Sequence, residues 1–206
     1  MPFHKDFIIN DYTKIMTWRI EPGELSINNI DKQEKIILDS KKSLISKEQF
    51  LSIRKLLKME DNNLKINYDL NGKPYLNKNM GISISHSNEF VALGLSNETN
   101  FGIDVQYKTE KIYKIQSKFL SVKENKNLGN NAGIESLIRI WSAKESIYKS
   151  LGNKGVSFSK ELEIEVNSKK DDMKTGYYFT KNNRIKFDLS FFSIEDYIIC
   201  YAKESF

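Results

Sequence analysis

Two acidic side chains occupy positions in the chain where apolar residues would be expected. Glu145 lies in the apolar face of a predicted helix, four residues after Trp141 and three before Tyr148. A carboxylate there needs a cation, a metal ion or hydrogen bonds, and taken alone it fits a buried ion pair equally well. Asp104 follows Gly102 and is flanked by apolar residues; taken alone, it is more simply an Asp that closes a turn at a strand end.

A third candidate is the run Ser85-His86-Ser87, which ends a predicted strand. Two hydroxyls and an imidazole near backbone N–H groups suit a phosphate, although in isolation a turn histidine is the simpler interpretation. A Ser/His nucleophile pair is disfavoured, because the chain has no G-x-S-x-G elbow and neighbours in sequence do not form a triad. The glycine-rich motifs of P-loop and dinucleotide-binding proteins are absent as well.

Together these groups predict a metal-assisted site for a phosphorylated ligand. Two carboxylates are hard oxygen ligands, which favour Mg²⁺ or Mn²⁺ over zinc. The chain has one cysteine and two histidines, which excludes both a Cys/His zinc cluster and an intramolecular disulfide. The net charge of +5 favours anionic partners, although an abundance of lysine along the whole chain would produce the same value.

The elements that position these groups are short strands and two helices. Apolar spacing predicts a helix over 46–58, with a capping box formed by Ser46 and Gln49. Arg54 lies in the apolar stripe of this helix, where a charge usually has a partner. The composition of 71–74 predicts a turn.

Strand-like runs follow the turn at 81–85, 90–95 and 101–106. In the last run, a period of two places Asp104 and Gln106 on one face. The most regular helical pattern covers 134–151 and ends at Gly152, with Lys144 and Lys149 on either side of the apolar stripe. The tail from about 162 to 204 is predicted to form strands, with a polar turn around 169–174. Runs of strands with few helices indicate an α+β fold.

The size of the chain, 206 residues, suits one large domain or two small ones in close contact, since no Pro- or Ser-rich linker divides it. No signal-peptide core and no apolar run long enough for a membrane span occur in the sequence. We therefore expect a cytoplasmic protein.

In their order and spacing, these motifs resemble those of the Sfp-type 4'-phosphopantetheinyl transferase superfamily. The matching segments are Gly72-Lys73-Pro74, Ile84-Ser85-His86-Ser87, Gly102-Ile103-Asp104-Val105, Phe119 with Glu124, and the run W-S-A-K-E-S-I-Y-K at 141–149. The resemblance covers about residues 40 to 155. The last run, downstream of G-I-D-V, is the most specific part.

The resemblance implies an enzyme that transfers 4'-phosphopantetheine from coenzyme A to a serine of an apo acyl or peptidyl carrier protein. The reaction would depend on Mg²⁺, or on Mn²⁺ as an alternative, and would release 3',5'-ADP. The implied fold has two similar α+β subdomains related by pseudo-twofold symmetry, residues 1–100 and 101–206, with the ligand cleft between them. The resemblance further implies a monomer that binds neither nucleic acid nor membranes.

The resemblance also implies roles for single residues. Asp104 and Glu145 would be metal ligands, and Gln106 takes the position where many members have a third acid. A glutamine carbonyl is a poorer Mg²⁺ ligand than a carboxylate, but waters and phosphate oxygens can complete the shell. Lys149 would contact the coenzyme A pyrophosphate. Glu145 is the candidate base for the serine proton, with Lys144 nearby.

The remaining implied contacts are with the nucleotide end of coenzyme A. Lys73, Ser85 and His86 would hold its 3'-phosphate, and Arg54 and Lys41 are further basic candidates. Two alternatives remain beside the enzyme. Gln106 motivates a catalytically silent module that binds coenzyme A or a carrier protein. A basic nucleic-acid-binding domain is disfavoured, since the aromatic residues follow core periodicity instead of interleaving with lysines.

Overall fold

The computed structural model describes residues 4–23, 30–129, 132–152, 155–166 and 173–205. Within these ranges the chain forms two antiparallel sheets, a small hairpin and several helices, which confirms the predicted α+β class. The strands in chain order are β1 His4–Asn10, β2 Thr13–Arg19, β3 Ile66–Tyr68, β4 Pro74–Leu76, β5 Gly81–Ser87, β6 Phe90–Ser96, β7 Phe101–Tyr107, β8 Leu162–Ile164, β9 Thr175–Phe179, β10 Arg184–Ile194 and β11 Tyr197–Glu204. The helices are α1 Lys32–Ser40, α2 Leu44–Glu60, α3 Gln116–Phe119, α4 Val122–Leu128 and α5 Ile134–Leu151, with a short 3₁₀ helix at Glu110–Lys114.

The first sheet has the strand order β1-β2-β6-β5, and all its strands precede residue 97. Helix α2 packs on this sheet through Ile53, Leu56 and Leu57, which share a core cluster with Val91 and Leu93 of β6. Removing each such side chain from water contributes about 1.5–3 kcal/mol, so the apolar stripe fixes which face of α2 meets the sheet.

The predicted cap of α2 is wrong. Ser43 caps the helix by accepting a hydrogen bond from the N–H of Ser46, and the helix begins two residues before the predicted range of 46–58. Gln49 is not available for a capping box, because its side chain donates to the backbone carbonyl of Asn88 at 2.9 Å. Both serines carry the hydroxyl that a cap requires, so composition alone does not separate them.

The second sheet has the order β7-β11-β10-β9-β8 and begins at residue 101. Helix α5 lies across it. Ile140, Ala143 and Ile147 of the helix share a core cluster with Phe187 and Leu189 of β10. The bounds of α5 agree with the predicted range, and Gly152 ends the helix in the left-handed region with a φ of 64°.

A glycine on β7 allows α5 to approach the sheet at backbone distance. A Cβ atom on Gly102 would lie 2.0 Å from the carbonyl oxygen of Ser146 and 2.8 Å from the backbone N of Ser150. Both obstacles are helix backbone, so a larger residue could be accommodated only by displacing α5. The glycine therefore sets the distance between the β7 strand of Asp104 and the helix of Glu145.

Strands β5 and β7 belong to different sheets but are joined through serine side chains, a contact that we call the serine seam. In each contact a serine Oγ of β5 accepts a hydrogen bond from a backbone N–H of β7. The pairs are Ser83 with Ile103 at 2.9 Å, Ser85 with Val105 at 3.1 Å, and Ser87 with Tyr107 at 3.1 Å. The separation is 20 residues in every pair, so the two strands run in the same direction.

The predicted strands of the central region are confirmed as β5, β6 and β7, each one or two residues longer than expected. Sequence analysis missed strands β1 to β4 and helices α1, α3 and α4. In the tail, the predicted strands correspond to β8, β9, β10 and β11. Of the predicted turn at 169–174, residues 169–172 lie outside the part of the chain that the structure describes.

Candidate active site

The buried carboxylate of Asp104 is the centre of a hydrogen-bond network that joins three elements. Its Oδ1 accepts from Ser85 Oγ on β5 at 2.8 Å and from Lys149 Nζ on α5 at 2.7 Å. Its Oδ2 accepts from Gln106 Nε2 on β7 at 3.0 Å. With only 2% of the residue exposed, the carboxylate depends on these donors for its charge to be tolerated. Asp104 and Gln106 lie on one face of the strand, as predicted.

Glu145 shares this environment from the side of α5. Partial burial is the largest cause that raises its pKa, and the negative charge of Asp104 adds to it, while Lys149 opposes both. The resulting pKa is about 7, against an ordinary value of 4.5. A carboxylate whose pKa is raised in part by a neighbouring carboxylate is typical of sites that bind a cation or share a proton.

The donor set fits a magnesium ion with few protein ligands. In the described part of the chain no group of three or more His, Cys, Asp or Glu side chains comes together, so the acidic donors are Asp104 and Glu145 alone. Mg²⁺ is commonly held by one or two carboxylates plus waters and substrate phosphates. Gln106 directs its amide N–H toward Asp104, and turning that amide over would present its oxygen instead.

Lys149 neutralises Asp104 in this structure. Its ammonium donates to Asp104 Oδ1, to Ser85 Oγ at 2.9 Å and to the carbonyl oxygen of Ile103 at 3.0 Å, which uses all its N–H groups. The side chain is 25% exposed, so its charge reaches the cleft beside it. A contact with a phosphate oxygen would require the ammonium to exchange one of these partners.

A cleft of about 280 Å³ lies beside this network, between the β3–β4 hairpin and the end of α5. Its lining includes Tyr68, Lys73, Pro74, Ile84, Tyr148 and Lys149. Lys73 donates to the carbonyl oxygen of Ser150 in the last turn of α5 at 3.0 Å, and burial lowers its pKa. A Cβ on Gly152 would lie 2.7 Å from Lys73 Cδ, so the glycine makes room for this lysine.

The other predicted basic residues lie along the same region. Partial desolvation and the positive charges of Lys149 and Lys41 lower the pKa of His86, although the residue as a whole is exposed. Lys41 Nζ lies 5.5 Å from the ring centroid of Phe50. Both lysines therefore lie near enough to His86 to disfavour its protonation, while Asp104 opposes them, and a cluster of cations suits a polyphosphorylated ligand.

Arg54 has the partner that its position in an apolar stripe required. Its guanidinium stacks 3.5 Å from the ring centroid of Phe50 and its Nε donates to Glu34 at 3.2 Å. Its Nη2 also lies 3.5 Å from the hydroxyl of Tyr68, at the cleft. Arg54 is therefore tied into the fold, and only its outer nitrogen approaches the cleft.

Lys144 does not belong to the site, contrary to the prediction. Its side chain is fully buried, and its ammonium lies 2.6 Å from Glu124 Oε2. It also contacts the carbonyl oxygens of Phe119, Phe158 and Leu162 at 2.7 to 2.9 Å. This environment belongs to the layer formed by α4 and β8, so Lys144 anchors the helix instead of facing the cleft with Glu145.

Sequence analysis also missed parts of the site. Tyr148 lines the cleft, and its place in the apolar stripe of α5 was the available signal. No signal in the sequence indicated Tyr68, since it lies in a strand too short to show a periodic pattern. Outside the site, the pairing of Glu124 with Lys144 was equally hidden, because the two residues are 20 positions apart.

Among the helices of the described residues, none is both long enough and apolar enough to span a bilayer.

Comparisons with known proteins agree with the geometry. A family model described as the 4'-phosphopantetheinyl transferase superfamily matches residues 100–202. The chain is 29% identical over 139 residues to the 4'-phosphopantetheinyl transferase gsp of Aneurinibacillus migulanus, covering 64% of this chain and 54% of that protein. It is 27% identical over 128 residues to slr0495 of Synechocystis sp., provisionally given the same name, covering 54% and 52%. The match thus spans about half the length of these curated relatives. Since the family model covers half of the chain, the protein belongs to the 4'-phosphopantetheinyl transferase superfamily.

Proposed function

We propose that this protein transfers 4'-phosphopantetheine from coenzyme A to a serine of an apo acyl or peptidyl carrier protein. The observation that carries the proposal is the buried Asp104, paired with Lys149, whose charge helps to raise the pKa of the nearby Glu145. This acidic pair lies beside a cleft with a basic border. Membership of the superfamily and the names of two relatives support the same activity.

In the proposed reaction, the carrier serine Oγ forms a bond to the phosphorus that bears pantetheine. The bond from that phosphorus to the 3',5'-ADP oxygen breaks, and 3',5'-ADP leaves with the electron pair. When bound by Asp104 and Glu145, Mg²⁺ would neutralise the charge that develops on the pyrophosphate. Glu145 accepts the serine proton, directly or through a water, because it is the carboxylate beside the site at which the serine would be deprotonated.

Different basic residues would contact different phosphate groups of coenzyme A. Lys149 places positive charge beside the pyrophosphate, and Lys73 and His86 take the 3'-phosphate. Lys41 and the outer nitrogen of Arg54 extend the positive surface toward the nucleotide. We also propose that residues 1–100 and 101–206 act as two subdomains related by pseudo-twofold symmetry. The protein would work as a cytoplasmic monomer.

A transfer assay tests the proposal. Incubation with a panel of apo-carriers, coenzyme A and Mg²⁺ should add one phosphopantetheine arm to at least one carrier, as read by mass spectrometry. Asp104→Asn and Glu145→Gln should each abolish transfer while the fold, read by circular dichroism, stays intact. Glu163→Gln is the matched control, because this acid pairs with Lys123 on the protein surface. Near wild-type turnover in either site variant would refute the assignment of the acids.

Gln106 favours a second candidate function. Its side chain stands where many members have an acid and donates to Asp104 in this structure. A protein that binds coenzyme A without transferring its arm would fit that substitution. Coenzyme A binding measured by calorimetry, with no mass gain on any carrier in the panel, would support this module over the enzyme.

A further inference from the structure

The hydroxyl of Ser85 has no hydrogen-bonding capacity left for a ligand. A serine hydroxyl carries one donor and two acceptor positions. Ser85 Oγ donates to Asp104 Oδ1 at 2.8 Å, and it accepts from the N–H of Val105 at 3.1 Å and from Lys149 Nζ at 2.9 Å. The residue is 4% exposed. Every position is therefore occupied inside the protein, away from solvent.

The partners of Ser85 are the two groups on which the proposed reaction depends most. Asp104 carries the buried charge of the candidate metal site, and Lys149 carries the opposing positive charge. Ser85 touches both, so it links β5 of the first sheet to the carboxylate on β7 and to the ammonium on α5. Hydrogen bonds from outside the ligand shell fix the orientation of metal-binding side chains and tune their charge.

A comparison with Ser83, a neighbouring serine of the seam, distinguishes this role from a purely structural one. Ser83 is buried to the same extent and accepts the same kind of bond, from the N–H of Ile103 at 2.9 Å. No hydrogen bond joins Ser83 to Asp104 or Lys149 among the described contacts. Ser85 thus makes the seam contact and two further contacts that its counterpart does not make.

We propose that Ser85 is a positioning residue whose hydroxyl orients Asp104 and Lys149, and that this hydroxyl does not contact the 3'-phosphate of coenzyme A. The proposal rests on the proposed function for the identity of the ligand. It replaces the role that the family resemblance implied for this serine. Lys73, which lines the cleft, and His86, which is exposed, then recognise the 3'-phosphate.

The test compares Ser85→Ala with Ser83→Ala, on coenzyme A and on 3'-dephospho-coenzyme A. Ser83→Ala measures the effect of losing one seam bond. Ser85→Ala should lower kcat by roughly 10- to 100-fold beyond that baseline, the usual effect of losing a contact that orients a metal ligand. The loss should be the same with both substrates, because a positioning residue acts without regard to the 3'-phosphate. Ser85→Cys, which keeps a weak donor and acceptor, should lie between Ser85→Ala and the wild type.

Binding measurements test the inference without turnover. The ratio of the affinities for 3',5'-ADP and 5'-ADP, from calorimetry, should be the same in wild type, Ser83→Ala and Ser85→Ala, while Mn²⁺ affinity should fall roughly 10- to 100-fold in Ser85→Ala alone. A ratio that drops toward one in Ser85→Ala would make this serine a phosphate contact and overturn the inference. Equal behaviour of the two alanine variants in every measurement would also overturn it. Because these readouts need no carrier, they stand apart from a failure of the transfer assay.

Discussion

Replacing Lys144 by methionine should destabilise the fold severely, because it leaves the carboxylate of Glu124 buried without its cation. Methionine keeps the unbranched length of the side chain and removes only the ammonium. Both side chains of the pair are 0% exposed. Breaking such a pair from one side costs about 3–5 kcal/mol. The carbonyl oxygens of Phe119, Phe158 and Leu162 lose a charged donor in the same step.

The loss is a large part of the total stability expected for a domain, about 5–15 kcal/mol. With a urea m-value of roughly 2 kcal/mol/M, the unfolding midpoint of Lys144→Met should fall by roughly 2 M. Lys123→Met is the matched control, since Lys123 pairs with Glu163 at a similar distance of 2.7 Å but is 66% exposed. Exposed pairs contribute about 0–1 kcal/mol, so its midpoint should change little.

The double variant Lys144→Met/Glu124→Gln separates the buried charge from the lost packing. It should recover at least about 1 kcal/mol relative to Lys144→Met, because no unpaired carboxylate is left in the core. A loss below about 1 kcal/mol in Lys144→Met would refute our description of the pair. If Lys144→Met were stable but inactive, Lys144 would have to be assigned to the active site.

Three further predictions concern the site itself. Gln106→Glu replaces a donor to Asp104 by a third carboxylate, so the metal-free protein should lose about 2 kcal/mol in urea unfolding, while Mg²⁺ affinity, measured by calorimetry, should rise. Gly102→Ala should cost about 3 kcal/mol and lower kcat, because its Cβ would force α5 away from β7; wild-type stability would contradict the close approach. The pKa of Glu145 is about 7 in the folded state, above its ordinary value of 4.5. At a pH between these two values, the folded state therefore keeps a proton that the unfolded state has released. In EDTA, wild-type stability should therefore fall by on the order of 2 kcal/mol relative to Glu145→Gln as pH rises from about 5 to 8, and parallel pH profiles would contradict that shift.

Local patterns were sufficient to predict the elements that carry the site. Helix α5 has a regular apolar stripe and a terminal glycine, and both its ends agree with the structure. Strand β7 alternates, and this alternation predicts that Asp104 and Gln106 lie on one face. The charge of Glu145 within the stripe was informative because burial of a carboxylate always requires compensation.

Contacts between distant parts of the chain were not predictable in the same way. A lysine at the border of an apolar stripe usually extends its ammonium into water, so nothing local distinguished the buried Lys144 from an exposed one. Its partner Glu124 stands in another helix. Similarly, Ser85 matched a phosphate motif by residue type, whereas its hydroxyl is used by groups that only the packing of two sheets brings together.

The serine seam also covers one edge of each sheet. Strand β5 is the last strand of the first sheet and β7 is the first of the second. An unpaired edge presents backbone groups that can template pairing with another chain. By covering N–H groups of β7 with serine hydroxyls of β5, the seam makes the facing edges of the two sheets less available to another chain.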